Sequence, residues 1–252
     1  MRTFDDLVSE AEAAPVEGWD FSWLDGRATE ERPPWGYSRV AAARMAGVST
    51  ALDLDTGGGE VLAALAHWPP HLVATESWPP NTERAARLLR PRGAWLVATG
   101  EGDPALPFRD GAFDLVVSRH PVATWWDEVA RVLRPGGTFL AQEIGPDTNA
   151  ELHEAIAGPV PAGEKRSAQR SRRLAEEAGL AVTDLREASL RVEFYDIGAV
   201  VYFLRKVVWT IPGFSVARYR SELAALHERI QANGPFVSHA QRFLIEAHKP
   251  GN

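Results

Sequence analysis

From residue 51 onward the chain alternates short apolar runs with stretches whose apolar residues recur every three or four positions. The runs at 51–55, 72–76, 94–99, 113–117 and 138–143 are almost continuously apolar. That is the pattern of parallel strands covered on both faces, where no side of the strand meets water. Helices fit between them at 60–67, 81–90, 124–133 and 167–178, and Gly179 supplies a stop because glycine enters the left-handed cap cheaply. A sixth strand near 180–190 and a seventh at 241–247 complete the series. Regular βα alternation predicts an α/β fold, a mostly parallel sheet with helices on both faces.

The flanks depart from this rhythm. Residues 4–14 read as a short helix, and 38–46 as a helix leading into the sheet. Between them, 15–37 is irregular and rich in Trp, Pro and Gly, including Trp23, Pro33, Pro34 and Trp35. It is too aromatic for a disordered segment, so we expect an ordered arm without a regular strand or helix. Some fifty residues separate the sixth and seventh strands, where a hairpin needs only a few. They read as helices at 196–209 and 216–232, broken at Ile211-Pro212-Gly213-Phe214. This insertion is a lid or substrate-shaping cap, or equally an extra layer or homodimer surface. The expected organisation is an arm at 1–46, a ligand-binding core at 47–190, the helical insertion at 191–239, and a last strand and tail at 240–252.

Composition narrows the chemistry. The chain has 252 residues, is 45% hydrophobic and contains no cysteine, which excludes disulfides, cysteine nucleophiles and thiolate metal sites. The net charge is −7, where a protein gripping long nucleic acid would show a basic stripe. The densest basic run, Lys165, Arg166, Arg170, Arg172 and Arg173, leads into Glu176-Glu177 and reads as a solvated helix face, so nucleic acid is disfavoured as a partner. His67 and His71 are separated by Pro69-Pro70, which breaks the helix that metal pairing would require, and no metal is expected. The opening residues lack the apolar stretch of a secretory leader, and no run approaches the ~20 apolar residues of a membrane span. The expectation is a soluble cytoplasmic protein without a membrane partner.

The most informative stretch is Asp53-Leu54-Asp55-Thr56-Gly57-Gly58-Gly59-Glu60, a strand running into three glycines and a helix. Glycines there let a ligand approach the backbone at the sheet's C-terminal edge, where open α/β folds bind ligands. A pyrophosphate turn wants neutral residues and a bare helix N-terminus. Here Asp53, Asp55 and Glu60 would repel phosphate. The turn suits a ligand with an ammonium group, a sulfonium and no phosphate, as S-adenosylmethionine is. Glu76 ends the second strand, where a carboxylate can accept both hydrogen bonds of a ribose diol. The stretch Gly100-Glu101-Gly102-Asp103 follows the third strand and could supply an acceptor for an adenine amino group. Leu106-Pro107-Phe108 and Phe113-Asp114 lead into the fourth strand, and Leu133-Arg134-Pro135-Gly136-Gly137 precedes the fifth.

In that order these pieces resemble the class I S-adenosylmethionine-dependent methyltransferases, particularly the small-molecule group. The resemblance spans 48–143 and implies a Rossmann-like seven-stranded sheet with an antiparallel last strand. It also implies roles. Asp53, Gly57, Gly58 and Gly59 would wall the methionine part of the cofactor, Glu76 would hold the ribose, and Glu101, Gly102 and Asp103 would face the adenine. Ser77 and Trp78 follow Glu76, with Trp78 placed to pack on the adenine ring. Asp55 replaces the family's first glycine and either pairs with the ligand's ammonium group or crowds the site. S-adenosyl-L-homocysteine would be the product.

Methyl transfer is an in-line displacement in which the protein positions the acceptor and excludes water, with a general base for some oxygen or nitrogen acceptors. His120, after the fourth strand at the edge that should face the methyl group, is the first candidate base, and Glu143 at the end of the fifth strand is the second. Arg119 could neutralise an acidic substrate or the cofactor carboxylate, and Tyr37 could close over the cofactor. Ser118-Arg119-His120-Pro121 is not the Asn-Pro-Pro-Tyr of amino-methyltransferases, and without cysteine the covalent route to cytosine C5 is closed. The expected function is methyl transfer to an O, N or C atom of a small molecule. The alternatives are an RNA- or protein-modifying methyltransferase and a non-catalytic cofactor-binding protein.

Overall fold

The computed structural model describes residues 2–18, 20–100, 102, 105–160 and 166–251. Glu101, Asp103 and Lys165 lie outside the described residues. The chain divides into two compact units, each made of several segments: 33–145, 166–188 and 242–252 in one, and 1–32, 146–165 and 189–241 in the other.

The first unit holds most of the sheet. Its strands are β2 (Thr50–Leu54), β3 (His71–Glu76), β4 (Trp95–Ala98), β5 (Phe113–Arg119) and β6 (Leu133–Ile144). To these are added the first part of β7 (Ala181–Phe194) and the last part of β8 (Phe236–His248). β2 pairs in parallel with β3 and β5, β3 with β4, and β5 with β6, while β8 runs antiparallel to β6. Neighbouring residues explain the continuous apolar runs. In β5, Leu115 and Val117 enter one buried cluster and Val116 the other; in β6, Leu140 enters the first and Phe139 and Ala141 the second. Strand side chains alternate between faces, so both faces must be apolar. The first cluster packs α2 (Tyr37–Met45), α3 (Glu60–Ala63) and α4 (Pro79–Leu89) through Ala41, Met45, Leu62, Ala85 and Leu89. The second packs α5 (Trp126–Val132) and α7 (Ala168–Glu177) through Val129, Val132, Ala168 and Ala175. Of the basic run, Arg170, Arg172 and Arg173 fall on α7, where Arg172 and Arg173 are exposed and Ala168, Ser171 and Ala175 are buried.

The other unit contains α1 (Phe4–Ala13), β1 (Ala28–Glu30), α6 (Ala150–Ala157), α8 (Ile197–Lys206) and α9 (Arg220–Asn233). The capping box of Thr3 and Asp6 starts α1, and the Asp196 carboxylate caps α8 by accepting from the Ala199 N–H. Tyr202 of α8 stacks on Trp23 with ring centroids 4.6 Å apart. The guanidinium of Arg27 lies over the other ring of that pair, 4.1 Å from the Trp23 centroid. These contacts give the aromatic arm its order.

Two expectations need correction. The sheet has eight strands, in the order β1-β7-β8-β6-β5-β2-β3-β4, where seven were expected. The extra one, β1, lies inside the stretch read as irregular. Ala28, Thr29 and Glu30 pair antiparallel with Phe194, Glu193 and Val192, and three residues are too few to carry a period-two signal. The fifth strand of the sequence reading, β6, begins at Leu133 and not at 138. The Arg134-Pro135-Gly136-Gly137 segment sits within its span as an irregularity, with a register shift opposite Phe113 and Leu115. Gly137 is required there, because a Cβ would stand 2.9 Å from the Arg134 carbonyl and 3.2 Å from that of Asp114. Among the described residues no helix is long and apolar enough to cross a membrane.

Candidate active site

The C-terminal ends of β2 and β3 bring the acidic residues together. The β2 turn is built on left-handed backbone at Asp55 (φ 54°), Gly57 (φ 63°) and Gly59 (φ 84°). At Gly59 a Cβ would also stand 3.0 Å from Leu89. Asp55 keeps a conformation that glycine would adopt freely, and aspartate is among the few residues that tolerate it. Thr56 N–H donates to the Thr75 carbonyl at 2.9 Å, which ties the turn to β3.

Glu76 holds the turn in shape. Its Oε2 accepts from the Gly57 N–H at 2.7 Å, and Oε1 from the N–H groups of Ser77 at 3.0 Å and Trp78 at 2.9 Å. Glu76 is buried, Ser77 is half-buried and the Trp78 ring is exposed. Asp53 is buried, and burial raises its pKa to about 7; the Thr56 side chain acts against this, and the charges of Asp55 and Glu76 add to it. Asp55 is raised for the same reasons, burial first and Glu76 second. The buried Tyr37 hydroxyl is held well above its ordinary value by burial and by Asp53, so it stays a proton donor. Glu60 does not join this group: its exposed carboxylate pairs with Arg84 at 2.6 Å and folds back over Gly58, where a Cβ would collide with it.

The ends of β5 and β6 carry different chemistry. His120 also has left-handed backbone (φ 58°), and its N–H donates to the Gln142 carbonyl at 2.7 Å. The indole N–H of buried Trp35 donates to Gln142 Oε1 at 2.8 Å. An indole can only donate, so the Gln142 amide turns its NH₂ to His120 Nε2, 2.9 Å away. That bond makes Nε2 an acceptor and places the imidazole proton on Nδ1. Burial first, and then the charges of Arg119, Arg242 and Arg166, lower the His120 pKa to about 3. Glu143 is buried beside them and accepts from the Thr124 hydroxyl at 3.0 Å and the Ser171 hydroxyl at 3.4 Å. Burial raises its pKa, against the pull of Thr124, Arg166 and Ser171.

The structure therefore brings Tyr37, Asp53, Asp55, Gly57, Gly58, Gly59 and Glu76 to one strand-end cluster, with Ser77 and Trp78 following Glu76. Arg119, His120 and Glu143 stand on the β5–β6 side. Of the adenine-side residues only Gly102 is described, with left-handed backbone (φ 70°) and open space around its Cα. Gln142 and Trp35 escaped sequence reasoning because nothing local links residues 107 positions apart. The conspicuous motifs serve support. Asp114 of the Phe-Asp pair accepts from the N–H groups of Ser49 and Thr50, both at 2.9 Å, and pins the start of β2. Arg131 clamps the carbonyls of Leu106 at 2.9 Å and Phe108 at 2.7 Å.

The donor set fits a cationic, phosphate-free ligand. Buried carboxylates close to one another are each costly unless a positive charge joins them. The Thr56 hydroxyl, buried beside Asp53 without a well-directed partner, leaves a further polar group for a ligand.

Comparison with known proteins agrees with this geometry. Residues 52–141 match the family model described as a methyltransferase domain. An uncharacterised protein of Mycobacterium tuberculosis is 32% identical over 120 residues, 44% of this chain and 43% of that one. The demethylmenaquinone methyltransferase of Roseiflexus castenholzii is 31% identical over 116 residues, 44% of this chain and 49% of that enzyme. The matched segment thus spans less than half the length of these curated relatives. A solved structure from Bacillus halodurans C-125, a protein provisionally assigned as a methyltransferase, shares the fold at a TM-score of 0.61 and 18% identity. That superposition covers 86% of this chain and 99% of the other.

Proposed function

We propose that this chain, whose residues 52–141 match the methyltransferase-domain family model, is a class I S-adenosylmethionine-dependent methyltransferase that transfers a methyl group to a small molecule. The observation that carries the proposal is the group of Asp53, Asp55 and Glu76 around a glycine turn, with no phosphate-compatible surface among them. The cofactor, when bound, supplies a methyl group already activated on a sulfonium.

The chain's own residues then have separable tasks. Asp53 and Asp55 offer negative charge to the methionine end, Glu76 offers carboxylate oxygens for the ribose hydroxyls, and Ser77 and Trp78 continue the wall. Gly102, with Glu101 and Asp103, is assigned to the adenine. Tyr37 contributes a hydroxyl that remains protonated. On the β5–β6 side His120 is a neutral imidazole with Nε2 engaged by Gln142, which suits it to orient an acceptor through Nδ1–H better than to remove a proton. Glu143, raised by burial, is the stronger candidate for proton transfer, and Arg119 for neutralising an anionic group.

A small-molecule acceptor is supported by the acidic balance of the chain and by the name of the Roseiflexus relative. The test is transfer of labelled methyl from S-adenosylmethionine to a panel of phenols, quinols, carboxylic acids and amines, run beside bulk RNA and bulk protein. Label in one small-molecule class supports the proposal. Label only in RNA or protein contradicts it, and cofactor binding without transfer to any class contradicts turnover.

A further inference from the structure

The ends of β5 and β6 hold one imidazole through a chain of three hydrogen bonds. His120 N–H donates to the Gln142 carbonyl at 2.7 Å, and its Nε2 lies 2.9 Å from the Gln142 side-chain nitrogen. Gln142 Oε1 is in turn held by the Trp35 indole N–H at 2.8 Å. Gln142 and Trp35 are both buried, so water does not stand in for either partner. Turning the amide over would set its NH₂ against the indole N–H, donor to donor, and leave both unsatisfied. The proton of the neutral ring is thereby kept on Nδ1, the less populated tautomer of histidine in water. Among the described residues no acceptor meets Nδ1, and that atom is not sealed from solvent. Two buried side chains thus preserve the less common tautomer and leave its donor open.

The charges around that donor share one sign. Arg119 precedes His120, Arg166 donates to the Pro121 carbonyl beside it, and Arg242 stands opposite Ile144 at the end of β6. All three act on the imidazole as positive charges. Glu143 follows Gln142 on β6, and strand alternation turns it to the other face, where it accepts from Thr124 and Ser171. A neutral donor among guanidinium charges favours an anionic oxygen. With Nε2 occupied and Nδ1 protonated, the ring has no lone pair with which to take a proton from a neutral acceptor.

We propose that Trp35 and Gln142 are positioning residues that keep His120 a hydrogen-bond donor, and that the methyl acceptor is an organic acid bound as its carboxylate. This rests on the S-adenosylmethionine reading of the site. An oxygen lone pair of the carboxylate forms the new C–O bond, and the C–S bond breaks with its electron pair passing to sulfur. A methyl ester results and no proton moves, so neither His120 nor Glu143 has to act as a base.

Long-range ¹H–¹⁵N correlation on the whole chain labelled with ¹⁵N-histidine tests the relay, with His120→Gln assigning the signal. At neutral pH the unaltered protein should show His120 in the Nδ1–H form alone. Trp35→Phe removes the indole donor without touching the imidazole and frees the amide to turn over, so Nε2–H should appear. Gln142→Met should give the same change, and either variant suffices if the other fails to fold. An Nε2–H ring in the unaltered protein overturns the proposal, and so does a proton kept on Nδ1 in the variants. Transfer of labelled methyl from S-adenosylmethionine to medium-chain and aromatic carboxylic acids, phenols and amines reads the acceptor class. Label should enter a carboxylic acid as an alkali-labile methyl ester. In Gln142→Met, kcat/KM for that acid should fall about tenfold or more, with KM for S-adenosylmethionine within about twofold. Preferential label in phenols or amines overturns the carboxylate assignment. Label in none of the three overturns instead the small-molecule transfer on which that assignment stands, while the tautomer still decides the relay.

Discussion

The two strand-end regions of the sheet unit lie side by side yet solve opposite electrostatic problems. At β2 and β3, buried carboxylates gather: Asp53 is pushed up to about 7, Asp55 is raised as well, and Glu76 is engaged by three backbone N–H groups. At β5 and β6, burial and arginines hold His120 near a pKa of about 3, and the Trp35–Gln142 relay fixes its tautomer. A positive charge would offset the carboxylates of the first region. The second has arginines around a neutral, oriented imidazole. On the proposed function, affinity and orientation reside in different places: charge recognition of the cofactor is assigned to β2–β3, and placement of the acceptor to β5–β6.

The largest expected effect tests the β2–β3 side. Glu76→Ala removes the acceptor of three backbone N–H groups together with the proposed ribose contact. Cofactor affinity should fall by about 3 kcal/mol, roughly a hundredfold, as measured by calorimetry. An unchanged affinity would dissolve the contrast between the regions. Next in size, Gln142→Ala leaves the buried Trp35 N–H without a partner. It should cost about 2 kcal/mol of stability and lower the melting temperature by about 4–8 °C, with cofactor affinity retained.

The pH dependence of the two regions has opposite sign. Asp53 has its pKa raised on folding from 3.8 to about 7, so its contribution to stability of the free protein is lost as pH rises through that window. His120 has its pKa lowered from 6.5 to about 3, so its contribution is present above 6.5 and lost as pH falls. A cationic ligand favours the ionised Asp53. Cofactor affinity should therefore increase by about tenfold between pH 6 and pH 8, and Asp53→Asn should flatten that slope. The smallest effect expected is that of His120→Gln on cofactor affinity, a change within about threefold, while methyl transfer slows. A large loss of cofactor binding in that variant would move His120 to the other region.

How much of this was legible in the sequence followed the range of the interactions. The β2 turn was legible because its glycines and carboxylates are consecutive, and the βα order because buried parallel strands are apolar on both faces. Asp114 was visible as part of a motif, but its bonds to Ser49 and Thr50 needed the fold. The short β1 was invisible because three residues are too few to carry a period-two signal. The Gln142–Trp35–His120 relay was invisible because tertiary packing assembles it, and because glutamine carries no local signature of burial. Glu60 was misplaced for a related reason. Its charge looked available in the sequence, whereas Arg84 on α4 pairs with it.

The central claim is that the turn from Asp53 to Gly59 holds a cationic, phosphate-free cofactor. Calorimetric titration of the same protein sample with S-adenosylmethionine and with NADH tests it most directly. Micromolar binding of S-adenosylmethionine is expected, with proton release near pH 7 as Asp53 ionises, and no binding of NADH. Binding of NADH without binding of S-adenosylmethionine would contradict it.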